Sequence, residues 1–136
     1  SSPYGAKFSV PYCIAIGLLD GVAGLKEFTD NRLKDLELIK LTSKISYEIN
    51  PNDEYPKNYS GNIKIFKKNG KILSANQPCL RGGKKDPLNF EEVKQKFHAN
   101  LNFAGIKKDE IAKLNSFVEN IFKTKDFKSL SEIDFT

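Results

Sequence analysis

The chain contains no tryptophan, no methionine, a single histidine and only two cysteines among its 136 residues. One histidine, His98, with Cys13 and Cys79 far apart in sequence, gives no cluster with metal-ligand spacing. Two cysteines are too few for a disulfide framework, and Cys13, inside an apolar run, reads as a small hydrophobe. A reduced, cytoplasmic setting is the simpler expectation. The longest apolar run, from Val10 to Leu19, is too short to span a bilayer and lacks a basic n-region. No internal repeat or low-complexity linker interrupts the chain.

What is present is a Phe-, Leu- and Ile-rich soluble composition, with ten Phe, 39% apolar and 29% charged residues. The length fits one domain with a modest core. Twenty-two basic and 17 acidic residues leave a net charge of +5, which favours anionic partners such as polycarboxylates, phosphates, nucleic acid or an acidic protein face, and equally suits a Lys-rich surface that is simply well solvated. A nucleic-acid partner is not expected, because aromatics are not interleaved with the basic residues.

Ser9 is placed to cap a helix that has Pro11 in its first turn and stops at Asp20-Gly21. Apolar on all sides, this helix is expected to be enclosed. Asp30 is a second cap candidate, followed by Leu33, Leu36 and Ile39 at helical spacing. The period then becomes two: Ile45, Tyr47 and Ile49 alternate with polar residues, as on a half-buried strand ending at Pro51. Ile63 and Ile65, then Asn69-Gly70, then Ile72 and Leu73 predict a hairpin with a type I′ turn. Asn89 and Glu92 form a capping box for a helix striped by Phe90, Val93, Phe97 and Leu101. Gly105 breaks it. Ile111, Leu114, Val118, Ile121 and Phe122 mark a further amphipathic helix, and Asp126 to Thr136 suggest one more short helix. The expected class is α+β: a two-layer sandwich with a small antiparallel sheet of about three strands packed against helices. It divides into residues 1–104 and a C-terminal helical segment, 105–136. A partner strand upstream of Ser1 is a further expectation.

Lys7, Ser9 and Tyr12 form the most informative set. A helix N-terminus attracts carboxylates, Lys7 adds a full charge two residues before the cap, and Tyr12 offers a hydroxyl. On the residues alone, a cap, a solvated lysine and a packed tyrosine account for the same three positions. Arg81-Gly82-Gly83-Lys84-Lys85 is a candidate anion loop without Walker spacing, and equally a solvated turn. Lys64, Lys67, Lys68 and Lys71 read as edge protection on the hairpin rather than as a phosphate patch. No catalytic residue and no cofactor is assigned.

The segment Ala6-Lys7-Phe8-Ser9-Val10-Pro11-Tyr12-Cys13, followed by Leu18-Leu19-Asp20-Gly21, resembles the start of the C-terminal half of the MmgE/PrpD family. That family includes 2-methylcitrate dehydratase, cis-aconitate decarboxylase and iminodisuccinate epimerase. The resemblance continues through Ile45–Ile49, Lys68-Asn69-Gly70-Lys71, Arg81-Gly82 and Pro87-Leu88-Asn89-Phe90-Glu91-Glu92 to Lys96-Phe97. It implies an α+β lid that closes on a separate helical domain, with a small di- or tricarboxylate in the cleft between them. It carries over Lys7, Ser9, Tyr12, Arg81 and Gly82 as substrate-facing candidates. Gly83-Lys84-Lys85 stand where many relatives carry an acidic or aromatic residue. Most of the acid-base residues would lie on the helical domain and others at the beginning of the lid, before Ser1, so the chain alone is expected to be inactive and to pair with that domain or with another copy as a homodimer. A non-catalytic module binding a protein or an anion is the alternative.

Overall fold

In the computed structural model, residues 2–121 and 123 are described. They form six helices and one antiparallel pair of strands, an α+β arrangement. The chain divides into two compact units, one holding residues 2–46 with 94–121 and 123, the other Tyr47–Val93.

The first unit opens with α1 (Pro3–Ala6), whose cap Ser2 accepts from the Gly5 N–H at 3.0 Å. Helix α2 (Val10–Asp20) begins where the sequence predicts: Ser9 Oγ accepts from the Tyr12 N–H at 3.4 Å, and Gly21, at φ 71°, supplies the left-handed residue that ends it. Tyr12, Ala15 and Ile16 of this helix form the core with Ala6 and Leu38, and Phe28, Leu33, Leu41 and Ile45 pack around them. Helix α2 is not enclosed, contrary to expectation. Val10, Gly17 and Leu18 are exposed, because the few short elements around it cover only the side that carries Tyr12 and Ile16.

The helix expected from Asp30 is two short ones, α3 (Asp30–Leu33) and α4 (Leu36–Thr42), and the cap of α3 is Thr29. Asp35 makes the split. Its Oδ1 accepts from the N–H groups of Glu37 and Leu38 at 2.9 and 3.1 Å, which starts a new helix instead of continuing the old one.

No strand forms at Ile45–Ile49. Ile45 packs on the helical core, whereas Ile49 is 86% exposed. Alternation makes a strand only where a neighbour pairs its backbone, and among the described residues the sheet has two strands rather than the expected three. These are β1 (Gly61–Phe66) and β2 (Ile72–Gln77), in register from Gly61 opposite Gln77 to Phe66 opposite Ile72. Ile63, Ile65, Leu73 and Ala75 share one face; Asn62, Lys64, Phe66, Ile72, Ser74 and Asn76 share the other. The turn is not type I′, since Gly70 (φ 79°) has positive φ and Asn69 does not. The Gly70 N–H donates to Lys67 O at 3.0 Å and the Lys67 N–H to Lys71 O at 2.9 Å, the pattern of a three-residue loop with a bulge.

Helix α5 (Phe90–Phe103) starts on the predicted capping box: Asn89 Oδ1 accepts from the Glu92 N–H at 2.9 Å, and Glu92 Oε2 accepts from the Asn89 N–H at 2.8 Å. Gly105 ends it at φ 79°. Of its stripe, Phe97 and Leu101 are half-buried, while Phe90 and Val93 are exposed. Helix α6 (Lys108–Asn120) buries Ile111 and Leu114. Lys94 pairs with Glu119 at 2.8 Å, and His98 Nε2 donates to Asn115 Oδ1 at 2.8 Å, which ties α5 to α6. Phe122 and the helix expected from Asp126 lie outside the described residues.

Candidate functional site

The candidates fall in both units: Lys7, Ser9 and Tyr12 in the first, Arg81 and Gly82 in the second.

Around the head of α2, the structure brings Lys7, Ser9 and Tyr12 together. The two-residue approach from α1 into the cap is tied by N–H bonds from Phe8 to Gly5 O at 3.1 Å and from Ser9 to Ala6 O at 3.1 Å. Lys7 is exposed, and its Nζ sits 5.9 Å from the centre of the Phe28 ring, within range of a cation–π contact. Phe28 in turn packs on Tyr12, with ring centres 5.8 Å apart. Tyr12 is buried, and its hydroxyl donates to Glu27 O at 2.8 Å. Burial pushes its phenol above the usual value, outweighing the opposing pull of the Arg32 charge, so the group stays neutral and donating. Pro11 carries no N–H and the Tyr12 N–H is taken by Ser9 Oγ, so the Val10 N–H is the first-turn donor left over. Attraction for an anion here therefore rests on the Lys7 ammonium more than on the helix terminus. The Cys13 thiol lies 3.7 Å from the carbonyl oxygens of Ala6 and Lys7, and burial raises its pKa, which keeps it protonated and poorly nucleophilic.

The segment after α2 is pinned by charge. Arg32 grips both oxygens of Asp20, at 2.7 and 2.8 Å, and also reaches Asp35. The Gly24 N–H donates to Glu27 Oε2 at 2.7 Å. These bonds fix the stretch that carries Glu27 and Phe28 against Tyr12.

In the second unit, Arg81 is the hub of the 78–89 loop and of its junction with α5. Its Nη1 donates to Asp86 Oδ1 at 2.6 Å and to Pro87 O at 2.9 Å, and its Nη2 donates to Glu92 Oε1. Gln77 Nε2 donates to the other Asp86 oxygen at 2.8 Å and to Cys79 O at 2.9 Å. Glu92 is held below the usual carboxylate range, first by the Asn89 N–H and then by Arg81. Gly82, at φ 86°, donates its N–H to Asp86 O at 2.7 Å, and Gly83 donates to Leu80 O at 3.0 Å. The loop thus uses the backbone donors of both glycines internally and leaves Lys84 and Lys85 exposed.

The spacing around the Ser9 cap foreshadows the first cluster, which is local. Residue pattern alone missed Phe28 and Glu27, and also Asp86 and Glu92 as the partners of Arg81. The one available signal was the capping box, which places Glu92 at a helix start that a nearby arginine could share. Among the described residues, no group of three or more His, Cys, Asp or Glu side chains could hold a metal ion, and no helix is long and apolar enough to cross a membrane.

No curated protein sequence matches the chain. The family model of the MmgE/PrpD C-terminal domain matches residues 1–120.

Proposed function

The chain belongs to the MmgE/PrpD family, and on that premise we propose that it is the lid part of a lyase or isomerase acting on a small di- or tricarboxylate in the cytoplasm. The observation that carries this reading is the family match over nearly the whole chain. Dehydration, decarboxylation and epimerisation of such acids all need cations to hold carboxylates and a base beside an acidic C–H. Lys7 supplies the cation: it is exposed at the head of α2, and no carboxylate among the described residues pairs with it. Ser9 sets the start of the helix, Tyr12 and Phe28 position the segment beneath the ammonium, and Arg81 with Gly82 shapes the second substrate-facing loop. The base comes from a helical domain, and the assembled protein works as a homodimer.

The test is direct. The purified chain should give no rate above buffer with 2-methylcitrate, cis-aconitate or iminodisuccinate, yet bind citrate in a calorimetric titration that Lys7→Gln weakens several-fold. Turnover by the chain alone overturns the division of labour; absence of citrate binding, or binding indifferent to Lys7→Gln, overturns the site.

One observation favours a second reading. Asp86, from the same loop, and Glu92, from the first turn of α5, neutralise the Arg81 guanidinium. A non-catalytic module that binds a protein or an anion would need no arginine at the ligand. Citrate binding that Arg81→Gln leaves intact would favour this reading, and full-length turnover that Arg81→Gln abolishes would count against it.

A further inference from the structure

The turn end of the β1–β2 hairpin carries a patch that the carboxylate site does not use. Phe66 and Ile72 face each other across the strands and are 73% and 57% exposed. They lie on the face whose other members, Asn62, Lys64, Ser74 and Asn76, are polar. Water should be their least favoured neighbour, and yet this pair sits where the alternation puts solvent. Cations bracket it. Lys64 is two residues back along β1 on the same face, and Lys67, Lys68 and Lys71 follow in the turn that joins the two strands. None of the four makes an ion pair among the described residues, and no acidic residue occurs between Gly61 and Gln77. The acids of this unit that lie near the sheet, Asp53 and Asp86, meet Ser60 and Gln77 at the opposite end. At ~3.3 Å per residue, the six-residue strands put those acids roughly 20 Å from the turn.

We propose that this hairpin end is a docking surface for an acidic protein face, with Phe66 and Ile72 entering an apolar socket ringed by Asp and Glu. An apolar centre with a charged rim is the anatomy of a protein interface. A bilayer fits less well: tip-first entry would push Lys67, Lys68 and Lys71 into hydrocarbon ahead of the apolar pair. A polynucleotide fits less well too, because one half of the pair is Ile, which offers no ring for a base to stack on. The inference is independent of the carboxylate reading and survives or fails apart from it.

The whole 136-residue chain is titrated against a fluorescent Glu/Leu copolymer peptide, a Glu/Gly peptide of equal charge, phosphatidylserine vesicles and oligo(dT). The Glu/Leu peptide should bind most tightly. Phe66→Ser should weaken it about tenfold while leaving Glu/Gly binding unchanged, as expected for loss of one buried anchor. Lys68→Gln, at an exposed turn position that leaves the fold intact, should weaken both peptides and flatten their salt dependence. Tighter binding to vesicles or to oligo(dT), equal binding of the two peptides, or indifference to Phe66→Ser and Lys68→Gln overturns the proposal.

Discussion

The segment from Ala6 to Ile45 closes on side chains that exclude water: Ala15, Ile16 and Leu38 are fully buried in one cluster. From Tyr47 to Val93 no residue is buried, and the loops there are joined by Arg81, Asp86, Gln77, Asn58 and Glu92 through hydrogen bonds and ion pairs. The first region draws chiefly on the hydrophobic effect, with the Arg32 pairs to Asp20 and Asp35 added at its edge. The second draws on charge, which is weakened by salt and lost on protonation.

Truncating Ile16 to Ala should break the contrast most severely. It removes the largest fully buried side chain of α2 and should cost about 2–5 kcal/mol, read as a fall in the urea midpoint. Gly70→Ala forces a side chain into a left-handed backbone at the hairpin turn and should cost about 1–2 kcal/mol, read in the same way. Tyr12→Phe keeps the ring but deletes the bond to Glu27 O. A net loss of about 1 kcal/mol is expected, with faster amide exchange between Val22 and Phe28 but not in the hairpin.

The smallest global effect should come from charge. Glu92 sits below its ordinary pKa because of the Asn89 N–H and Arg81, and Asp35 does so because of the Leu38 and Glu37 N–H groups. Their stabilisation is complete above the ordinary carboxylate value near ~4 and drains away as the pH falls through the lower folded-state values. A urea midpoint that is flat from neutral pH to about 5 and then declines would agree. Arg81→Gln should reduce the Glu92 part of that decline and speed exchange at the α5 start. A decline that Arg81→Gln leaves untouched would show that the loop does not depend on this ion pair.

How much of this was readable beforehand follows the range of each interaction. Ser9, Gly21, Asn89, Glu92 and Gly105 act within a few residues of themselves, so the limits of α2 and the start and end of α5 were legible. Ile45–Ile49 misled because alternation describes a face and not the neighbour that must bond to it. Asp35 splits the expected helix because its carboxylate competes for nearby N–H groups, a local rule that the apolar spacing of Leu33, Leu36 and Ile39 obscured. At the site, Lys7, Ser9 and Tyr12 were found together because they adjoin in sequence. Phe28 under the Lys7 ammonium, and the Asp86 and Glu92 grip on Arg81, arise from chain folding back on itself, and no spacing announces them.

Glu92 serves two neighbours with one group: Oε2 caps the first turn of α5, while Oε1 holds Arg81. Drift at this position is therefore constrained twice. Aspartate, a methylene shorter, could not span both contacts, and glutamine would keep the cap while surrendering the charge. A lineage that replaced Glu92 by anything other than glutamine would have to re-anchor the start of a helix and a loop in the same step, so Arg81, Asn89 and Glu92 should be inherited as a trio.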